Sequence, residues 1–184
     1  MRYYIIAGEP SGDLHASNLI KSIIKRDDAA QIRAMAGDLS REAGAELYRH
    51  YKDTAVMGVV EVVKKAGKIL NNLSDCKRDI LQFNPDVIIL VDYPGFNLKI
   101  AKFAKSRGIK VFYYIAPKVW AWKEHRVKEL RKYVDRLYII FPFEKDYFTQ
   151  RGVEAIYLGN PLADLESMDT NESIEEYNKK HHLS

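Results

Sequence analysis

The stretch Asp86-Val87-Ile88-Ile89-Leu90-Val91-Asp92-Tyr93-Pro94-Gly95-Phe96-Asn97 decides how this chain folds. Its aliphatic run, rich in β-branched residues and without polar alternation, reads as a parallel strand covered on both faces. The first carboxylate after it, Asp92, stands where the strand re-emerges at its C-terminal end, and a Pro-Gly turn halts the strand there. In open α/β sheets that edge is where ligands bind. Partial desolvation in such a cleft raises the basicity of a carboxylate, which is what a general base needs. The competing reading of Asp92 is a turn-capping residue before Pro-Gly.

Outward from this strand, similar apolar runs recur at Tyr3 to Ala7, Ile32 to Ala36, Val111 to Ile115, Leu137 to Phe141 and Ala155 to Leu158. Helix-period segments lie between most of them, at Asp13 to Lys25, Val59 to Phe83, Leu98 to Ser106, Glu124 to Lys132 and Glu144 to Gln150, several closed by glycines such as Gly108 and Gly152. Strand and helix in alternation predict βαβ units with right-handed crossovers. The expected fold is α/β: a Rossmann-like, doubly wound, mostly parallel sheet of about six or seven strands with helices on both faces. After Gly159-Asn160-Pro161-Leu162-Ala163-Asp164 the chain turns polar, with Ile174, Tyr177 and Leu183 as its apolar anchors. Residues 1–164 therefore read as one domain and 165–184 as a linker with a short amphipathic helix.

Composition bounds the function only loosely. The chain has 184 residues, 47% of them hydrophobic, enough for one sizeable core. Its 29 Lys and Arg against 25 Asp and Glu give +4, an excess too mild to imply nucleic acid by itself. The one cysteine, Cys76, has no disulfide partner, which fits a reducing cytosol. The apolar start, Tyr3-Tyr4-Ile5-Ile6-Ala7, is too short for a signal peptide, and no stretch is long enough to span a bilayer.

The first strand feeds Gly8-Glu9-Pro10-Ser11-Gly12-Asp13-Leu14-His15, a two-glycine turn opening a helix that Ser11 or Asp13 is expected to cap. Such a turn is either an ordinary βα connection or a cradle for an anion or a sugar hydroxyl. It lacks the third glycine of a dinucleotide fingerprint, and Glu9 would repel a pyrophosphate. Glu9 falls on the same sheet edge as Asp92 and marks the turn as part of a site. His15 is either a hydrogen-bond donor to that cleft or a structural residue, and His125 reads as part of a solvated helix face. No grouping has metal-ligand spacing, so no metal and no cofactor are expected. Ser11 lacks the setting of a nucleophile.

Two segments join apolar bulk to positive charge. One runs from Val56 to Leu70, where Val59, Val60, Val63 and Ile69 accompany Lys64, Lys65 and Lys68; such a helix is suited to an anionic membrane surface. The other, Pro117-Lys118-Val119-Trp120-Ala121-Trp122-Lys123-Glu124-His125-Arg126, suits a headgroup boundary or a core with a basic rim. Single-stranded nucleic acid is a third reading, opposed by the acids at the sheet edge.

Gly8-Glu9-Pro10-Ser11-Gly12-Asp13, Ala55-Val56-Met57-Gly58-Val59-Val60-Glu61-Val62, Asp92-Tyr93-Pro94-Gly95-Phe96-Asn97, Pro117-Lys118-Val119-Trp120-Ala121-Trp122 and Phe141-Pro142-Phe143-Glu144-Lys145 together resemble the lipid A disaccharide synthase family, in order and over nearly the whole chain. The resemblance implies the N-terminal half of a metal-independent GT-B glycosyltransferase. That family joins UDP-2,3-diacylglucosamine to 2,3-diacylglucosamine 1-phosphate at the cytosolic face of the bacterial inner membrane, releasing UDP with inversion. It further implies Asp92 as the base, with Gly8, Glu9, Ser11, Gly12, Met57 and Asn97 contacting substrate. Val59, Val60, Val63, Lys64, Lys65, Lys68 and Ile69 would meet acyl chains or the bilayer. Many relatives carry a second acid where this chain has Gly95, so Asp92 is expected to act alone. The family's nucleotide-binding half is expected beyond this sequence, and the chain by itself is expected to be inactive. Two other readings stand beside the resemblance, a UDP-sugar epimerase and a non-catalytic flavodoxin-like binding domain.

Overall fold

The computed structural model describes residues 1–54, 62–122 and 124–161. Met57, Val59 and Val60 lie outside them, as does the polar tail. Strand β1 (Arg2–Ala7) runs into helix α1 (Pro10–Ile24), β2 (Gln31–Ala36) into α2 (Asp38–Glu42), and β3 (Glu46–His50) into α3 (Tyr51–Thr54). The long helix α4 (Val62–Phe83) leads to β4 (Val87–Val91), followed by α5 (Pro94–Ser106) and β5 (Lys110–Tyr114). Then come α6 (Val119–Trp122), a 3₁₀ turn (Glu124–Arg126), α7 (Val127–Tyr133), β6 (Arg136–Ile139), α8 (Phe143–Thr149) and β7 (Ala155–Tyr157). Among the described residues seven strands form one parallel sheet in the order β3-β2-β1-β4-β5-β6-β7. The expected Rossmann-like α/β fold is the observed one.

Period-two alternation divides the strands between two cores. Ile5, Ala7, Val87, Ile89 and Val91 pack with Ala16 and Ile20 of α1, while Tyr4, Ile6, Ile88 and Leu90 pack with Cys76 and Ile80 of α4, Ile100 of α5 and Leu130 of α7. Each fully buried Ile, Leu or Val among them stabilises the fold by about 1.5–3 kcal/mol through burial. The unbroken apolar run of β4 exists because this strand is central and every one of its residues is buried.

The winding reverses between β1 and β4. From β1 the chain steps outward to β2 and β3, crosses back through α4, and steps the other way from β4. Ala7 is in register with Val91, so Gly8 and Asp92 leave the sheet side by side at the switch point.

The structure moves several expected boundaries. Helices α1 and α5 begin on Pro10 and Pro94, earlier than the Asp13 and Leu98 starts read from periodicity. Proline suits the first helical position, where its fixed φ is helical and its missing N–H costs nothing. Neither Ser11 nor Asp13 caps α1: the N-cap is Glu9, in extended conformation, and no side chain caps it. Strand β3 was not among the expected strands; it is a partly exposed edge strand whose residues alternate polar and apolar too weakly to stand out.

Candidate active site

At the end of β4 the backbone takes an uncommon path. Asp92 and Tyr93 are both left-handed, with φ of 41° and 47°, before Pro94 starts α5. Residues other than glycine pay for this conformation, and it persists only where neighbours hold it. Here the Asp92 carbonyl accepts hydrogen bonds from the Tyr113 hydroxyl at 2.6 Å and from Asn97 Nδ2 at 2.8 Å. Asn97 Nδ2 also reaches the Val91 carbonyl at 3.2 Å. Asn97 is fully buried: its Nδ2 is spent on the backbone of the corner, whereas its Oδ1 has no hydrogen-bond partner among the described residues.

The Tyr93 ring joins this corner to the first loop. A Cβ on Gly8 would stand 2.4 Å from ring atoms of Tyr93, so only glycine lets the ring lie there. The other side of the contact is Phe96, stacked on Tyr93 with centroids 5.6 Å apart. Gly12 brings α1 close to β1, since a Cβ there would meet that of Ala7 at 3.3 Å. Both glycines expected to contact substrate also serve close packing. Glu9 and Ser11 are exposed, and Ser11 Oγ donates to Glu9 Oε1 at 3.2 Å.

The Asp92 carboxyl is half-buried and free of any salt bridge among the described residues. Its pKa is raised above the usual carboxylate range, first by desolvation and then by the like charge of Glu9; the Lys118 ammonium and the Tyr93 N–H oppose the rise. Three loops therefore act on one carboxylate, those after β1, β4 and β5. Tyr93 and Tyr113 have their phenol pKa values raised, chiefly by burial, so both hydroxyls stay protonated near neutrality.

Lys118 lies over the Phe141 ring at 5.6 Å. Beside it, Trp120 Nε1 donates at 3.0 Å to Glu144, whose other oxygen accepts the Phe141 and Ile140 N–H groups at 3.1 and 3.3 Å. Glu144 is 1% exposed, whereas Trp120 and Phe143, edge to face at 5.1 Å, are 39% and 52% exposed. A buried acid thus fixes an exposed aromatic shelf at the sheet edge. Sequence reasoning missed Lys118, Tyr93, Tyr113 and Glu144 as parts of the site. Applying the strand-end rule to β5 and β6, as it was applied to β4, would have found Lys118 and Glu144.

Other expectations resolve separately. His15 is half-buried, desolvation lowers its pKa, and no hydrogen bond ties it to Asp92 or Glu9. Asp13 is buried and caps the neighbouring α2: it accepts from the N–H groups of Gly37, Leu39 and Ser40 and from Ser40 Oγ at 2.6 Å. Val63, Lys64, Lys65 and Lys68 stand in the first turns of α4, where their side chains lie outside the described residues; Ile69 is exposed. Among the described residues no cluster of His, Cys, Asp and Glu is placed to hold a metal ion, and no helix is long and apolar enough to cross a membrane. A cavity of about 610 Å³ beside Met1, Tyr3, Leu19 and Asp27 lies at the opposite edge of the sheet, away from this chemistry.

The architecture is that of a Rossmann-like half of a GT-B protein. The UDP-GlcNAc 2-epimerase of Methanocaldococcus jannaschii, solved in complex with UDP-GlcNAc and UDP, superposes with a TM-score of 0.67 at 17% identity, over 98% of this chain and 54% of its own. That likeness is one of fold. At the level of sequence, the family model described as lipid-A-disaccharide synthetase matches residues 3–183, and the chain belongs to this family. The lipid-A-disaccharide synthases of Geobacter metallireducens and Trichlorobacter lovleyi are 43% and 42% identical to it over 94% and 89% of the chain. The chain spans 45% and 43% of those relatives' own lengths.

Proposed function

We propose that this chain supplies the acceptor side and the general base of an inverting glycosyltransferase that makes the lipid A disaccharide. The observation that carries the reading is the Asp92 carboxylate: half-buried, raised in basicity, and standing beside Glu9 at the switch point of the sheet. On this reading the 6-hydroxyl of 2,3-diacylglucosamine 1-phosphate gives its proton to Asp92 while its oxygen attacks the anomeric carbon of UDP-2,3-diacylglucosamine. The bond from that carbon to the UDP oxygen breaks on the opposite face, and UDP leaves with the bonding pair. Inversion needs no covalent intermediate, so one positioned base suffices on the acceptor side. Glu9 orients sugar hydroxyls and keeps Asp92 basic. Donor recognition belongs to the part of the relatives' length that this chain does not span. The apolar, lysine-bearing start of α4 meets lipid, and the protein works from the cytosolic face of the inner membrane.

The test is Asp92→Asn in the full-length transferase. The amide keeps the shape and cannot take the proton, so kcat is expected to fall by roughly 10²–10⁴-fold with the fold intact. An unaltered rate would remove Asp92 from the chemistry.

A further inference from the structure

Helix α5 contains three lysines, Lys99, Lys102 and Lys105, and no acid. Spaced by three, they form a stripe along its outer side. Among the described residues only Lys105 of the three is paired with an acid, Asp135. Lys99 and Lys102 instead border a groove of about 420 Å³ between α5 and α4, completed by Lys77 and floored by Leu70, Leu73 and Phe103. Lys77 Nζ stands 5.4 Å from the centre of the Phe103 ring, at the wall of the groove. Among the described residues none of these three lysines has a carboxylate partner. The acids of α4 are already committed, Asp79 to Arg33 and Asp75 to Arg49 and Arg78. The floor is open to solvent at Leu70, which is 58% exposed, and Ile69 beside it is 39% exposed. An apolar trough under uncompensated ammonium groups has the complement of one kind of ligand: an anionic headgroup on an acyl chain.

We propose that the α4–α5 groove is a binding site for anionic phospholipid, with Lys77, Lys99 and Lys102 gripping the headgroup phosphate and Leu70, Leu73 and Phe103 receiving the first methylenes of an acyl chain. The site seats α4 and α5 together against lipid, so the protein lies on the bilayer by the flank of its sheet. The inference rests on the proposed function only in expecting lipid to be the surface encountered.

Vesicle co-sedimentation tests it. The chain is expected to bind vesicles of phosphatidylcholine with a third phosphatidylglycerol, and to bind pure phosphatidylcholine far less. Each lysine near an anionic surface contributes about 1 kcal/mol, so Lys77→Gln, Lys99→Gln and Lys102→Gln combined are expected to weaken binding about 10²-fold. Leu70→Asp, at an exposed position that folding does not need, is expected to weaken it as well. A charge-matched control, Lys21→Gln with Lys25→Gln and Lys128→Gln, is expected to change binding less than tenfold. The proposal fails if the groove triple variant binds like the parent, or if the control loses as much. It also fails if the triple substitution abolishes binding to a single-stranded oligonucleotide that competes with the vesicles, or if inorganic phosphate at millimolar concentration displaces the chain from them. These assays involve no turnover. A normal Asp92→Asn result with an unaffected triple variant would sink the groove and spare the transferase reading.

Discussion

Two neighbours pull the basicity of Asp92 in opposite directions, and the signs make its role as a base measurable. Turnover needs the ionised carboxylate, so kcat/KM is lost as pH falls through the Asp92 pKa, which desolvation and Glu9 hold above the ordinary carboxylate range. Removing the opposing ammonium in Lys118→Gln is expected to move that acidic limb to higher pH. Removing the like charge in Glu9→Gln is expected to move it to lower pH. Measured pH profiles of the two variants in the full-length enzyme check both, and displacement of the limb in the same direction by both would refute the arrangement. A stability consequence follows from the same shift. A carboxylate whose folded pKa is raised binds protons more readily in the native state, so folding gains stability as pH falls through that value and is penalised above it. Asp92→Asn is therefore expected to be at least as stable as the parent at neutral pH, the difference fading in acid, where both side chains are neutral. Such a trade of stability for a reactive group is common at active sites. Asp92 and Glu9 were legible in the sequence because strand ends are. Lys118 was within reach of the same strand-end rule, but its effect on Asp92 was not legible, because that depends on β5 lying next to β4.

At the scale of elements, the central strands were legible for a reason that also explains what was missed. Strands β1 and β4 are buried on both faces and carry uninterrupted apolar runs, whereas β3 lies at the sheet edge and α2, α3 and α6 are shorter than two helical turns. Such short elements have no room to express a period. The corner between β4 and α5 was read as a Pro-Gly turn that ends a strand. In the structure Pro94 is already helical, and the turn is made by Asp92 and Tyr93, two residues without the conformational freedom of glycine. Nothing local in the sequence encodes that; the strain is held from outside, by Tyr113 on β5 and Asn97 on α5. Tyr113→Phe removes one of those bonds without disturbing packing. The expected result is a kcat lowered by about tenfold with KM little changed, and a stability loss of about 0.5–1.5 kcal/mol in urea unfolding. Gly8→Ala attacks the same corner from the first loop, displacing the Tyr93 ring, and is expected to cost about 1–3 kcal/mol with a larger fall in rate. If Tyr113→Phe leaves the rate untouched, the corner does not need its hydroxyl brace.

At the scale of the whole molecule, α4 is, among the described elements, the helix that carries the chain from one wing of the sheet to the other, and its docking supports the β1–β4 pairing that brings Glu9 and Asp92 to one edge. Its anchor is a polar network centred on the buried Asp79. Asp79 accepts from the Tyr4 hydroxyl at 2.8 Å and from Arg33 Nε and Nη2, the latter at 2.7 Å, while Arg33 reaches on to Glu46 of the edge strand. One carboxylate thus ties the crossover helix to β1, β2 and β3. Removing it strands the Arg33 charge in a partly desolvated position, which costs more than the lost attraction. Cys76 lies one helical turn away, fully buried, with its thiol pushed up to about 12 chiefly by desolvation. It is the only cysteine in the sequence, and its reactivity therefore reports on α4 alone. In the folded chain at pH 8 it is expected to resist an aromatic disulfide reagent and to react only through opening of the helix, at a rate set by the population of the open form. Asp79→Ala is expected to raise that labelling rate by roughly 10²-fold, the equivalent of about 3 kcal/mol lost from the docking of α4. A thiol that labels at the speed of a free cysteine in the parent chain would mean that α4 is not seated as described. The switch point would then lose the crossover that brings its two acids to one edge.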